Sequence, residues 1–387
     1  MSPRAESHRD NSRSLRMPYK TIRINPNSLH QPRASVLVIY TGGTFGMVYD
    51  RTAGPQKTGQ LVPFDFERVL DRLPELQRLD FEITLLTLPN IIDSANMKPA
   101  VWVELAQIIQ THYKEYNSFV ILHGTDTMAY TASALSFMLN GLNKPVILTG
   151  AQLPIGVARS DARENFITAL EIAAAVDPAA VEANTVAAGQ PIVPEVCIYF
   201  NSLLLRGNRS TKRESIQFNA FVSENYPHLA NAGVSIDYNR PFIRAYQPNQ
   251  ELKIQTVLDS NVTILKIFPG ITQSVVESIV NSNNVRGVVL ETFGAGNALT
   301  DSWFLDTLQA AIDRGAVLFN VSQCEGGRVA QGQYQTSKQL KQIGVVSGAD
   351  ITTEAAITKL MVLLGREADP VIVRRLLTQP ISGEMSE

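Results

Sequence analysis

The sequence predicts an α/β protein with two α/β domains, each on a mainly parallel sheet, the N-terminal one larger and the C-terminal one smaller. Three observations predict it. The chain has 387 residues and is 44% hydrophobic, which is enough for two cores at roughly 100–200 residues per domain. Short apolar runs end in glycine or polar residues, as fully buried strands do. Helical patterns separate those runs, which is the alternation of a parallel sheet covered on both faces.

The elements follow in order. Residues 1–33 are arginine- and serine-rich, without an apolar run, and are expected to be a disordered leader, with Met17 as an alternative start. The N-terminal domain is expected over 34–220. Its strands are placed at 36–40, 81–86, 119–122, 145–149 and 195–200. Val101, Leu105, Ile108, Ile109 and His112 keep helical spacing after Pro99, and two Ala/Leu-rich helices are expected over 127–139 and 161–175. Residues 179–191 are expected as a surface loop. Residues 221–258 carry Pro227, Gly233, Pro241 and Pro248 among polar residues and are expected to be a linker. The C-terminal domain, 259–387, alternates strands at 262–267, 287–291 and 316–321 with helices at 272–280, 301–314 and 353–364.

Composition excludes several classes. A formal net charge of −2 and a pI near 6.3 give no basic face for nucleic acid, so no nucleic-acid partner is expected. No apolar run reaches the roughly 18 residues of a membrane span, and the arginines near the N-terminus are not followed by the apolar core of a secretory signal. Cys197 and Cys324 stand far apart in apolar stretches and are expected to be buried free thiols. No zinc spacing, H-E-x-x-H, G-x-S-x-G or G-x-x-x-x-G-K-[ST] motif occurs, and no metal site is expected.

In an open parallel sheet, ligands bind beyond the carboxyl ends of the strands. The residues there are Thr41-Gly-Gly-Thr44, Asp93-Ser94-Ala95, His123-Gly-Thr125-Asp126, Gly150-Ala151-Gln152 and Arg206 to Lys212. They offer hydroxyls, carboxylates and a lysine. Gly42 and Gly43 permit a sharp turn before Thr44. Thr125 and Asp126 sit where a strand meets a helix, whose N-terminus adds positive potential. A threonine hydroxyl is a weak nucleophile unless a base or positive neighbours activate it. Lys212 beside Thr125 would supply that activation without histidine. Singly, each motif has a plainer reading: a tight turn, a helix cap, a surface lysine, a loop serine. His123 is expected to be structural.

Taken together, the segments change that balance. Residues 40–47 (YTGGTFGM) and 120–139 (VILHGTDTMAYTASALSFML) resemble the two signature segments of the bacterial L-asparaginase family. The second of these, with 206–212 (RGNRSTK), is most similar to the cytoplasmic type I branch. Further matches lie at 268–271, 294–298, 322–324 and 348–355, so the likeness spans about 34–385. It implies an asparaginase-like fold, hydrolysis of L-asparagine to aspartate and ammonia, a homodimer or homotetramer, no cofactor and a cytoplasmic location. Carried over residue by residue, it makes Thr44 the nucleophile, with Thr125, Asp126 and Lys212 also catalytic. It makes Asp93, Ser94 and Ala95, with Thr125 and Asp126, substrate-binding.

The chain departs from the family pattern at two positions. A tyrosine usual in the mobile loop after the first strand is matched here by Leu61, with Tyr49 nearby but out of register; 50–60 is still expected to be a lid. The arginine of allosteric type I enzymes is matched by Glu291, although Thr211 at the other effector position is present. Asparagine is therefore not expected to activate this protein through the same contacts. Two other functions use this scaffold: a glutamine-hydrolysing amidotransferase subunit acting for tRNA, whose archaeal examples carry a further N-terminal domain, and a non-catalytic amino-acid sensor.

Overall fold

The computed structural model describes residues 19–24, 32–49, 61–63, 69–178, 189–282, 284–332 and 335–386. The N-terminal sheet has nine strands. Across it they run Lys20–Ile24, Glu82–Ile92, Ser35–Gly42, Ser118–Leu122, Val146–Thr149, Val196–Phe200, Leu203–Arg206, Ala230–Ala232 and Ile236–Tyr238. The second through sixth are parallel; the others pair antiparallel.

Strand periodicity sorts the core. Leu37, Ile39, Phe119 and Ile121 face the helices Pro99–His112 and Met128–Met138, while Val36, Val38, Tyr40, Val120 and Leu122 face the helix Ala162–Ala174. Both faces of the parallel strands are thus covered, which is why they read as continuous apolar runs.

The C-terminal sheet is wholly parallel, in the order Val262–Lys266, Gly287–Thr292, Val317–Ser322, Val346–Ser347. Gln273–Val280 and Ser302–Asp313 cover one face. Thr353–Arg366 and Pro370–Leu377 cover the other and join the N-terminal helix Met128–Met138 in a single core. That shared core fuses the two domains.

Three expectations need correction. The leader is not wholly unstructured: Lys20–Ile24 is an edge strand beside Glu82–Ile92, with Lys20 and Thr21 exposed and Ile24 buried. Its charged residues suit an edge, and that composition disguised it. The linker is not only a linker: Ala230–Ala232 and Ile236–Tyr238 complete the first sheet, and Phe221–Val222 pairs with Thr211–Lys212. Cys197 is buried, and burial pushes its thiol up, but Cys324 is exposed. Most of the expected loop 179–191 and all of the expected lid 50–60 lie outside the described residues. Among the described residues no helix is long and apolar enough to cross a membrane.

Candidate active site

The five parallel strands stand in the order 2-1-3-4-5 by chain position, so the connection direction reverses between Ser35–Gly42 and Ser118–Leu122. That reversal leaves a crevice at the carboxyl ends of those two strands. Thr44 follows one strand, and Thr125 follows the other.

Glycine lets the strand ends touch. A Cβ on Gly42 would lie 2.3 Å from the Ile92 carbonyl oxygen, and one on Gly43 would lie 2.5 Å from both Cα and N of Gly124. One on Gly124 would lie 2.5 Å from Ser94 Oγ. Gly42 and Gly43 also have φ of 128° and 85°, values that L side chains rarely adopt. Three backbones therefore meet at one place, and Thr44, Ser94 and Thr125 surround it. Gly43→Ala is expected to destabilise the fold by about 2 kcal/mol or more and to cut activity roughly 100-fold, by strain and by parting Thr44 from Thr125. Thermal unfolding and an ammonia assay on the same sample check this; a stable, active variant would refute the close contact.

Thr125 is buried, and its Oγ1 accepts a hydrogen bond from Lys212 Nζ at 2.7 Å. Lys212 Nζ also donates to Asp126 Oδ1 at 2.6 Å. The lysine side chain is 17% exposed and the aspartate 63%, so the cation is held inward while the carboxylate faces the opening. Thr125 Oγ1 in turn donates to Gln152 Oε1 at 3.3 Å. Gln152 is held by its own Nε2, which donates to the Gln217 carbonyl at 2.9 Å, and by its backbone N–H on Asp161. Its position past the strand Val146–Thr149 was visible in the sequence, but its contact with Thr125 was not.

Lys212 comes by a detour. Asn201 and Ser202 have φ of 47° and 67°, which makes a tight hairpin and turns the chain back along Leu203–Arg206. Gly207 then passes the helix Met128–Met138 so closely that a Cβ would sit 2.9 Å from that of Ala132. From there the chain climbs to the start of that helix, where Lys212 meets Thr125.

The loop 93–95 is fixed but not all buried. Asp93 is exposed, and its carboxylate accepts from Ala95 N at 3.1 Å; Ala95 is exposed as well. Ser94 is buried, and its carbonyl accepts from Thr127 Oγ1 at 2.8 Å. Among the described residues, no hydrogen bond to the Thr44 hydroxyl is present. Tyr49 and Leu61 stand opposite one another in the antiparallel pair Met47–Tyr49 and Leu61–Pro63, just past Thr44.

His123 is wholly buried. Nδ1 faces the Gly124 carbonyl at 2.7 Å and so carries the proton, while Nε2 accepts from Thr131 Oγ1 at 2.9 Å. Trp102 Nε1 donates to the same hydroxyl at 3.0 Å. Burial pushes the imidazole down to about 4. An unfolded chain takes up that proton near pH 6.5, and the folded one refuses it until about 4. Stability should therefore fall as pH drops through this window, by up to about 3 kcal/mol. Unfolding curves of the wild type and of His123→Gln across the window test this, since the variant has no such proton to take up. Equal slopes would contradict it.

Thr211 and Glu291 line a second cavity, of about 300 Å³, between the domains. Glu291 accepts from Thr353 Oγ1 at 2.7 Å and pairs with Lys266 at 3.3 Å, while Thr211 donates to Glu354. Burial and the nearby Glu291 push the Glu354 carboxyl up. Among the described residues no group of three or more His, Cys, Asp or Glu is placed to hold a metal ion.

Comparison with known proteins gives consistent findings. The family model "Asparaginase, N-terminal" matches residues 35–244, and "Glutaminase/Asparaginase C-terminal domain" matches 261–377. The chain is 40% identical to L-asparaginase 1 of Escherichia coli over 356 residues, covering 92% of this chain and 98% of that protein. It is 38% identical to the 60 kDa lysophospholipase of Mus musculus, covering 92% of this chain and 63% of that protein. The crystal structure of L-asparaginase I from Vibrio cholerae aligns with a TM-score of 0.79 at 36% identity, covering 92% of this chain and 100% of that one.

Proposed function

As this chain belongs to the asparaginase family, we propose that it hydrolyses L-asparagine to L-aspartate and ammonia, with Thr44 as nucleophile. The observation that carries the reading is the Lys212 ammonium, hydrogen-bonded to both Thr125 Oγ1 and Asp126 Oδ1 beside the turn that presents Thr44.

The roles follow from the substrate. Asparagine is a zwitterion with a side-chain amide. Asp126, exposed at the opening, meets its ammonium, and the Ser94 loop meets its carboxylate. Thr44 Oγ adds to the amide carbon, and the carbonyl oxygen takes up negative charge. Donors near Thr125 stabilise that charge. The tetrahedral adduct collapses with cleavage of the C–N bond. The nitrogen gains the proton that Thr44 loses and leaves as ammonia, and a β-aspartyl ester remains on Thr44. Water then adds to the ester; Thr125, with its oxygen held by Lys212, takes part in moving the water proton back to Thr44 as aspartate departs.

Coupled detection of ammonia from asparagine and from glutamine, with the full chain and no tRNA, tests the reading. Turnover of asparagine at a rate set by enzyme concentration is expected. An amidotransferase subunit would need its tRNA partner, and a sensor would bind asparagine without releasing ammonia; either result would overturn the proposal. The resemblance of the signature segments to the type I branch extends the reading to a cytoplasmic homo-oligomer. Light scattering of the purified protein should give a dimer or tetramer mass, and a monomer mass at micromolar concentration would count against it.

A further inference from the structure

Beside the last strand of the C-terminal sheet, Val346–Ser347, lies a cleft of about 820 Å³. Arg328, Lys341, Arg374 and Arg375 line it, with no carboxylate in the lining. None of these four cations has an ion-pair partner among the described residues. Arg328, Lys341 and Arg375 are exposed and Arg374 is half-buried.

General basicity does not explain the cluster, because the chain as a whole carries −2. Lys341 and Arg374 with Arg375 fall in the last turns of the helices Gln335–Gln342 and Pro370–Leu377, where a cation complements the helix dipole. That accounts for a cation at each helix end. It does not account for their convergence, nor for Arg328, which belongs to a loop. Arg374 adds an independent observation: its Nη1 atom is buried and has no hydrogen-bond partner. An oxyanion in the cleft would give the half-buried guanidinium charge-assisted hydrogen bonds that no protein group supplies. Val329, Val345 and Val346 form an apolar wall beside the cations.

We propose that this cleft binds a multiply charged phosphate compound, a polyphosphate or a nucleotide-sized phosphate ester. A cleft of about 820 Å³ is within the range of small-ligand sites. Several phosphate oxygens match several guanidinium and ammonium donors, and the valine wall accommodates an attached ring. Asparagine itself does not fit: it brings one carboxylate for four cations, and its ammonium is repelled. The site is thus distinct in chemistry from the one at Thr125, and the inference stands independently of the proposed reaction.

Titration calorimetry of the full chain with sodium tripolyphosphate, and separately with metal-free ATP, is the test, at about 0.15 M ionic strength. Saturable one-site binding of at least one probe is expected. It should weaken roughly tenfold or more in Arg374→Gln and in Lys341→Gln. Lys338→Gln removes an exposed charge from the same helix as Lys341 but outside the cleft, and should leave binding unchanged. Unliganded melting temperatures show whether each variant is folded, and the exposed Lys341 keeps the test open if Arg374→Gln is not. Saturable binding of neither probe would overturn the proposal. So would an equal loss in Lys338→Gln, which would mark mere charge attraction.

Discussion

Thr44→Ala and Thr125→Ala are each expected to lower kcat/KM on asparagine by roughly 10⁴-fold, and the double variant by little more than either. In the proposed reaction Thr44 supplies the atom that bonds to carbon. Thr125 supplies the hydroxyl whose oxygen accepts from Lys212 at 2.7 Å and whose proton points to Gln152. Groups that act on one transition state are not additive, which is why the double variant has little left to lose. Lys212→Met separates the two steps. It removes the cation that orders Thr125 and Asp126 but leaves Thr44 in place, so hydrolysis of the ester should slow more than its formation. Intact-protein mass spectrometry of that variant mixed with asparagine should reveal a β-aspartyl adduct, and peptide mapping should place it on Thr44. Wild-type turnover in Thr125→Ala, or an adduct on Thr125, would require the roles to be reassigned.

Lys359→Met is expected to destabilise the protein by about 3–5 kcal/mol, the largest stability effect foreseen for one side chain. Lys359 and Glu384 form an ion pair at 2.7 Å with both side chains 0% exposed. The ammonium also donates to the carbonyls of Leu377 at 3.1 Å and Gln379 at 2.7 Å. Glu384 accepts from the backbone N–H groups of Ile381 and Ser382. Methionine leaves that carboxylate buried without its cation, and desolvation then dominates. Adding Glu384→Gln to Lys359→Met should recover part of the loss, since a neutral amide costs less to bury. Urea unfolding of the wild type, both single variants and the double gives the coupling. Losses that simply add, or a single-variant loss under about 1 kcal/mol, would mean the pair contributes little. The effect should reach the active site as well. Arg209 Nε and Asn208 Nδ2 donate to the carbonyls of Gly383 and Ser382, so the same C-terminal turn steadies the segment that delivers Lys212.

The sequence is most legible where local rules are strongest. Each of the five parallel strands appears in the chain as an apolar run, because both of its faces are buried. The long helices appear at 3.6-residue spacing, and their ends fall within a few residues of those observed. Short strands were not legible. Leu203–Arg206, Ala230–Ala232 and Ile236–Tyr238 have four residues or fewer, too few to show a period, and they are strands because a neighbour pairs with them. The cysteines show the same limit. Cys197 and Cys324 both lie in apolar stretches, yet only Cys197 is buried, since burial depends on what packs above each position.

At the turn Thr41–Thr44, the sequence by itself determined the sharp bend and the hydroxyl after it, because glycines with φ of 128° and 85° are a local requirement. It also placed Thr125 and Asp126 at the start of a helix. Only the tertiary structure decided what stands beside them. Gln152 reaches Thr125 across 27 residues and Lys212 across 87, the latter by way of a hairpin and a climb along a helix. Such contacts are set by the packing of whole elements, to which no single stretch of sequence is privy.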